Sequence, residues 1–199
     1  MINNMSGNVI VFLDTETGGL DSKLHSLLSV GMVIVDIDKE ELGAELEIFV
    51  KEEKIVTCKA ALSINGINIE ELDKVGINPC EAHQQLYDFL IRFKGEKKLT
   101  IGGINVNFDI NFLRRLPELK EGNHITKEFS HRTIDLSTLS LAFNHSGIIK
   151  EAITTSSQLF DYFGITTQGR HGALFDAKAT AICYLKMITR LKELNKVKM

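Results

Sequence analysis

The stretch VIVFLDTETGGLD, residues 9–21, places two acids at the end of a strongly apolar run. The run VIVFL is typical of a central strand that is covered on both faces. Asp14 and Glu16 follow it two residues apart, so both point to the same side if the strand continues that far. Gly18 and Gly19 then allow a sharp turn and a close approach to a ligand.

The two acids allow two interpretations on the residues alone. Charge near an apolar interior is costly unless a partner is present. Asp14 could cap turn amides while Glu16 stays exposed, or both carboxylates could bind one cation. The pattern itself favours neither interpretation.

The rest of the chain predicts an α/β domain. Residues 27–35 and 45–50 are typical of strands, and the acidic link between them suits a turn between antiparallel neighbours. With the first strand they predict a three-strand meander. Alternating elements follow a loop through Asn78 and Pro79, with helices at 80–93, from about 107, at 156–165 and at 173–194, and strands at 99–104 and 131–136. This order predicts a mixed sheet flanked by helices.

Size, composition and charge fit one globular domain spanning residues 1–199. The chain is 44% hydrophobic and 25% charged, which argues against disorder. Its net charge of −3 gives no overall basic field for nucleic acid, although an acidic site would mask a local basic patch. Cys58, Cys80 and Cys183 are widely spaced and odd in number, which favours a reduced compartment. With no signal peptide or membrane span, we expect a cytoplasmic protein without a membrane partner.

Two further acids and a histidine stand at the predicted ends of elements. Asp109 lies where the strand at 99–104 gives way to a helix, a position typical of a capping residue. His171 and Asp176 lie in GRHGALFDAKAT, and the glycines mark a loop that enters the last helix. We expect His171 in that loop and Asp176 in the first helical turn. Taken singly, each is better explained as a structural residue.

Taken together, these residues resemble the DEDDh group of 3'-5' exonucleases, the DnaQ-like family that includes proofreading subunits and RNase T. The resemblance implies a ribonuclease H-like fold and covers nearly the whole chain. The matching segments are FLDTETGGL, NVNFDINFL and HGALFD, supported by SINGI near residue 65, RTIDLSTL near 135 and LFDYFGI near 163.

The resemblance implies a catalytic set of four acids and one histidine. Asp14, Glu16, Asp109 and Asp176 would bind two Mg²⁺ or Mn²⁺ ions, hard cations that prefer carboxylate oxygens. His171 would be the general base, since an unperturbed histidine pKa of about 6.5 suits proton removal near neutral pH. The expected reaction is two-metal hydrolysis that releases nucleoside 5'-monophosphates from single-stranded 3' ends.

The same resemblance implies a set of substrate contacts around the terminal nucleotide. Family members often carry histidine where Asn65 and Ile104 stand, so substrate preference is expected to differ here. Phe108 is equally well explained as a core aromatic, and we interpret Asp135 as structural. The predicted contacts are Thr15, Thr17, Gly18, Gly19, Leu20, Asn65, Asn105 and Phe108.

Two other functions compete with the exonuclease. An apolar strand ending in DxE-T also resembles haloacid dehalogenase-like phosphatases, but their second acid is Asp, and HGALFD has no role in that chemistry. A nucleic-acid or protein-binding module of the same fold would be inactive, and the intact acids argue against it. The expected partners are single-stranded DNA or RNA 3' ends. A polymerase or a second copy of the chain are further candidates by the resemblance.

Overall fold

A mixed five-stranded sheet organises the computed structural model, which describes residues 8–166 and 172–196. The strand order across the sheet is β3-β2-β1-β4-β5. The strands are β1 (Val9–Thr17), β2 (Leu27–Asp36), β3 (Glu41–Phe49), β4 (Leu99–Gly103) and β5 (Phe129–Asp135).

The pairing of the strands confirms the predicted meander and mixed sheet. β1 pairs antiparallel with β2, and β2 pairs antiparallel with β3. β4 lies parallel to β1 on its other side, and β5 lies parallel to β4. The carboxyl ends of β1, β4 and β5 therefore meet at one edge of the sheet, where α/β proteins place their sites.

Helices cover both faces of the sheet. Their bounds are α1 (Lys59–Asn65), α2 (Ile69–Val75), α3 (Pro79–Ile91), α4 (Val106–Leu113), α5 (Leu136–His145), α6 (Ser156–Tyr162) and α7 (Ala173–Lys196), with 3₁₀ turns at Lys120–Gly122 and Ile125–Glu128.

Three of these helices were not predicted from the sequence. α1 and α2 have seven residues each and occupy part of the segment predicted as a loop, so that prediction is wrong there. α2 depends on a cap, because Asn68 accepts hydrogen bonds from the N–H groups of Glu70 and Glu71. α5 begins directly after β5, and Asp135 caps it by accepting from Ser137 N. Capping does not produce the apolar periodicity by which longer helices are recognised.

The alternation of β1 divides the core into two layers. Val11 and Leu13 pack on the side of α3 and α4, and Ile10 and Phe12 pack on the side of α7. Phe12 is fully buried, and such burial stabilises a domain by about 1.5–3 kcal/mol per large apolar side chain. Even-numbered positions of β1 therefore face α7, and odd-numbered positions face α4.

The three cysteines are free, with Cys58 and Cys80 exposed and Cys183 buried. Burial raises the pKa of the Cys183 thiol to about 12. None of the helices in the described ranges has the length and apolar character needed to cross a membrane.

Candidate active site

Three carboxylates meet at the carboxyl end of β1. The strand continues to Thr17, so Asp14 and Glu16 lie on the same side of it, as predicted, and this side faces α7. Asp176 lies in the first turn of α7. One carboxylate oxygen from each of Asp14, Glu16 and Asp176 lies within 4.8 Å of the other two. We call these three residues the acidic cluster.

Gly31 in β2 allows α7 to approach the cluster. It is the direct neighbour of Asp14 in the β1–β2 pairing. A Cβ atom at this position would lie 2.1 Å from Leu174 N and 2.2 Å from Ala173 C. The first turn of α7 therefore rests directly on the sheet at Gly31. A lone glycine inside a strand pattern is a known signal of close backbone approach, and it could have been found in LLSVGMVIVD.

Two acids of β3 fix the start of α7 from the side. Glu47 pairs with Gly31 across the sheet, and its Oε1 accepts a 3.3 Å hydrogen bond from Leu174 N. Glu45 forms a 2.5 Å ion pair with Lys178. Sequence analysis missed both contacts, because they join residues far apart along the chain.

Asp109 reaches the same end of β1 from the opposite face. It is 3% exposed. Its Oδ1 accepts hydrogen bonds from Thr15 N at 2.9 Å and from Thr15 Oγ1 at 2.7 Å. Within the described part of the chain, the structure therefore brings together three of the four predicted ligands and holds Asp109 on Thr15.

Burial and like charges make the carboxylates costly to ionise. Burial raises the pKa of Glu16 to about 8, and Asp176, Asp109 and Glu47 add electrostatic repulsion. Burial likewise raises the pKa of Asp109 to about 7, although the two bonds from Thr15 act in the opposite direction. A bound cation would offset both the cost of burying the charged carboxylates and the repulsion between them. Carboxylate oxygens are also the donors that hard divalent ions prefer. The donor set therefore fits a divalent metal ion.

The predicted general base, His171, lies outside the described residues. Its partner in the H-x4-D spacing, Asp176, is in place at the start of α7. The role of His171 stays a prediction.

The turn after β1 is held by hydrogen bonds to buried groups. Thr17 Oγ1 donates to Gly19 O at 2.8 Å, and Gly18 N donates to Ser26 O at 2.8 Å. Asn65 Nδ2 donates to Thr17 O at 3.0 Å, and Asn65 is itself buried. Leu20, by contrast, is 87% exposed. The turn is therefore fixed at its base and presents one apolar side chain to solvent.

The remaining predicted substrate residues lie at the start of α4. Asn105 is exposed and has left-handed backbone, with φ of 56°. Its N–H donates to Asp135 Oδ1 at 3.1 Å, in line with the structural interpretation of Asp135. Phe108 is half-buried and packs on Phe112, with 5.0 Å between ring centroids. Substrate contact by either residue stays a prediction.

The chain matches the RNase_T exonuclease family over residues 11–184. It belongs to this family of DnaQ-like 3'-5' exonucleases, and it is an exonuclease. This agrees with the family that the sequence motifs indicated.

Two bacterial relatives match over almost their whole length. The chain is 24% identical to the 3'-5' DNA exonuclease Cap18 of Escherichia coli over 190 residues, covering 95% of this chain and 96% of the relative. It is 25% identical to Ribonuclease T of Escherichia coli K12 over 194 residues, covering 93% of this chain and 86% of the relative.

A solved structure shows the same fold. The chain superposes on E. coli Exonuclease I in complex with a dT13 oligonucleotide with a TM-score of 0.72 and 18% identity. The match covers 96% of this chain and 43% of Exonuclease I, so the chain spans less than half of that protein.

Proposed function

We propose that the chain is a metal-dependent 3'-5' exonuclease that shortens single-stranded nucleic acid and releases nucleoside 5'-monophosphates. The observation that carries the proposal is the acidic cluster, three carboxylates within 4.8 Å at the carboxyl end of the central strand. The names of Cap18 and Ribonuclease T support exonuclease chemistry on a nucleic-acid chain. We further propose that residues 1–199 act as one exonuclease domain.

Asp14, Glu16 and Asp176 would hold a divalent cation, Mg²⁺ or Mn²⁺, and Asp109 would help to hold a second one. Bound ions of this kind polarise a phosphoryl oxygen, lower the pKa of a bound water and stabilise the leaving oxygen. Asp109 is suited to a secondary role in metal binding, because Thr15 already donates two hydrogen bonds to its Oδ1. Because the pKa of Glu16 is raised to about 8, binding of a cation at neutral pH would displace a proton from this carboxyl.

His171 would take the proton from the attacking water. A neutral imidazole can accept a proton near pH 7, and its position in the HGALFD motif places it on the chain segment that leads into Asp176. Asp176 is held by the contacts of α7 with Gly31 and Glu47, so the two residues would act together at one end of the helix.

The turn after β1 would receive the terminal nucleotide. Within residues 8–166 and 172–196, the N–H groups of Gly19 and Leu20 donate no hydrogen bond to another residue. These donors could bind phosphate or sugar oxygens, while the exposed Leu20 side chain packs against a base. Thr15 and Thr17 would fix the turn, and Asn105 and Phe108 would border the other side of the base.

Single-stranded DNA and RNA are both candidate substrates. Cap18 is named as a DNA exonuclease and Ribonuclease T as a ribonuclease, at nearly equal identity to this chain. The Exonuclease I structure holds a dT13 oligonucleotide, which supports a single-stranded substrate. The free thiols of Cys58 and Cys80 support a reducing, cytoplasmic location.

The test is a cleavage ladder on DNA and RNA oligomers of matched sequence that carry a 5' label. We expect stepwise shortening with Mg²⁺ or Mn²⁺, none with EDTA, and none with Asp14→Ala protein. The faster polymer identifies the substrate class, and chromatography of the products should show nucleoside 5'-monophosphates.

A 3' label distinguishes the direction of attack. Release of the label in the first step supports 3'-5' polarity, whereas retention on a shortening chain contradicts it. Binding of oligomers without shortening, by protein whose circular dichroism shows it to be folded, would overturn the proposal in favour of an inactive binding module.

A further inference from the structure

An arginine in the turn directly after α4 contacts the loop that follows β1. We call residues 18–26 the β1–β2 loop. The guanidinium of Arg115 donates from Nη1 to Ser22 O at 2.6 Å. The helix α4 itself carries Asp109, which holds Thr15 in β1. The helix and the residues directly after it therefore fix the backbone on both sides of the Gly18–Leu20 turn.

Glu52 joins Arg115 to the far end of the loop. Arg115 Nη2 donates to both carboxylate oxygens of Glu52, at 3.1 Å and 3.0 Å, and Nε donates to Oε1 at 3.3 Å. Glu52 also accepts from Ser26 Oγ at 2.8 Å and from Leu27 N at 3.2 Å. A planar guanidinium fits a carboxylate in this two-pronged way, and a lysine cannot reproduce it.

Ser26 connects Glu52 to the turn at Gly18 through hydrogen bonds. Its backbone oxygen accepts from Gly18 N, and its Oγ accepts from Val56 N at 2.9 Å. The packing is close there, because a Cβ atom at Gly18 would lie 2.2 Å from Val56 O. Movement of Ser26 would therefore move Gly18, which stands next to the N–H groups of Gly19 and Leu20, donors that no other described residue accepts from.

We propose that Arg115 and Glu52 form a positioning clamp that holds the β1–β2 loop in the arrangement required to bind the terminal nucleotide. The inference deepens the proposed function and rests on it. Neither residue belongs to the acidic cluster, and the clamp acts on substrate binding through the loop backbone. Arg115 and Glu52 are therefore positioning residues without a part in phosphodiester cleavage.

The ion pair between Arg115 and Glu52 should be stronger than a surface ion pair because both side chains are largely removed from water. The side chains are 25% exposed for Arg115 and 18% exposed for Glu52. Loss of either partner leaves the other charge half-buried without its counter-ion, which costs more than loss of an exposed pair. Substitution of Arg115 by alanine also removes the hydrogen bond that its guanidinium donates to Ser22 O.

The test compares Arg115→Ala with Arg115→Lys and with a matched control, Arg114→Ala. Arg114 is the adjacent residue and is exposed, and among the described residues its guanidinium donates only to Asn111 Oδ1, at 2.7 Å. For Arg115→Ala we expect KM for a single-stranded oligomer to rise about tenfold, with kcat nearly unchanged. Arg115→Lys should recover part of the loss, and Arg114→Ala should match the unchanged protein.

Amide hydrogen exchange measures the loop itself without substrate. In Arg115→Ala the amides of Gly18, Ser26 and Val56 should exchange faster, while those in the middle of β1 stay protected. Mn²⁺ affinity should stay unchanged, which excludes an effect on the acidic cluster. A fall in kcat with unchanged KM, or unchanged exchange of the loop, would overturn the clamp.

The two proposals fail separately. If the unchanged protein shortens neither DNA nor RNA, the proposed function fails. The exchange measurement still decides whether Arg115 holds the loop.

Discussion

The two helices that bring acids to the end of β1 hold them in opposite ways. On one face, α7 places Asp176 against Asp14 and Glu16, so that like charges meet within 4.8 Å. On the other face, α4 places Asp109 against the hydroxyl and N–H of Thr15. Asp109 is buried and Glu16 is half-buried, but Asp109 has donors directed at it whereas Glu16 has acids around it.

Comparison of Glu16 with Asp109 separates the effect of burial on a carboxyl pKa from the effect of the neighbouring groups. Burial is the largest cause of the raised pKa in both residues. For Glu16 the nearby acids raise the pKa further, and for Asp109 the bonds from Thr15 lower it in part. A site that adds repulsion to burial must take up protons or a cation, whereas a site with its own donors is partly satisfied without either. Under the proposed function, we therefore expect the α7 face to be the principal metal-binding face.

Removal of Asp14 should have the largest effect. Asp14→Ala removes a carboxylate from the acidic cluster and should lower the exonuclease rate by about 10³-fold or more. Without metal, the variant should melt at a higher temperature than the unchanged protein, since repulsion with Glu16 and Asp176 falls. Oligomer shortening and thermal melting measure the two effects.

Asp161→Ala is the matched control for Asp14→Ala. Asp161 is an exposed acid of α6, and its loss should change neither rate nor melting. A folded Asp14→Ala protein with the rate of the unchanged protein would show that the acidic cluster is not the metal site.

Gly31→Ala should have the second largest effect. The added methyl group collides with the first turn of α7, where Leu174 N lies 2.1 Å from the new atom. Such overpacking typically costs about 1–3 kcal/mol. Because the displaced turn carries Asp176, we expect activity to fall about 10²-fold, with Mn²⁺ affinity reduced as well.

Gly95→Ala is its control, because no described atom beyond Gly95 and its two chain neighbours lies within 4 Å of a Cβ placed there. Equal activity of the two glycine variants would contradict the role of Gly31 in placing Asp176.

Metal-free stability should fall as the pH rises from about 6.5 to 8. The pKa of Glu16 is raised to about 8 and that of Asp109 to about 7. The folded chain therefore keeps protons that the unfolded chain has released, and this advantage is lost as the pH rises through those values. The pKa of His83 is lowered by burial, so its charge changes below this window.

Thermal melting in EDTA and in Mn²⁺ measures this pH dependence. Mn²⁺ should raise the melting temperature more at pH 8 than at pH 6.5, because metal binding requires the ionised carboxylates. Glu16→Gln should flatten the dependence in EDTA. A metal-free melting temperature that rises between these pH values would contradict the assigned shifts.

Thr15→Val should have the smallest effect. It removes the hydroxyl that bonds to Asp109 Oδ1 at 2.7 Å and leaves the backbone N–H in place. We expect a loss of stability of about 1 kcal/mol and a few-fold loss of activity at pH 7 that is smaller at pH 8.5, because the pKa of Asp109 rises further. Thr138→Val, at an exposed position of α5, is the control, and identical pH–rate profiles for the two variants would exclude the role of Thr15.

Sequence patterns predicted the sheet and the acids of β1 well. The apolar run before Asp14 and the alternation of the next strands reflect burial on two faces, which is a local property of the chain. The same-side geometry of Asp14 and Glu16 follows from strand pleating and needed only the continuation of β1 to Thr17. Asp176 could be placed at a helix start because glycines precede it.

Contacts between distant segments could not be predicted in the same way. The bond from Leu174 to Glu47 joins positions 127 residues apart, and that between Arg115 and Glu52 joins positions 63 residues apart. Nothing in the local pattern of either segment specifies such a partner. The bond between Thr15 and Asp109 is of the same kind. Gly31 is the exception, since a lone glycine in a strand already indicates close approach.

Mn²⁺ titration of the unchanged protein and of Asp14→Ala, followed by electron paramagnetic resonance at pH 8, tests the metal assignment most directly. We expect the unchanged protein and Asp161→Ala to bind Mn²⁺ with the same affinity, and Asp14→Ala to bind at least about tenfold more weakly. Equal Mn²⁺ affinity in all three proteins would contradict the assignment of Asp14, Glu16 and Asp176 as the metal site.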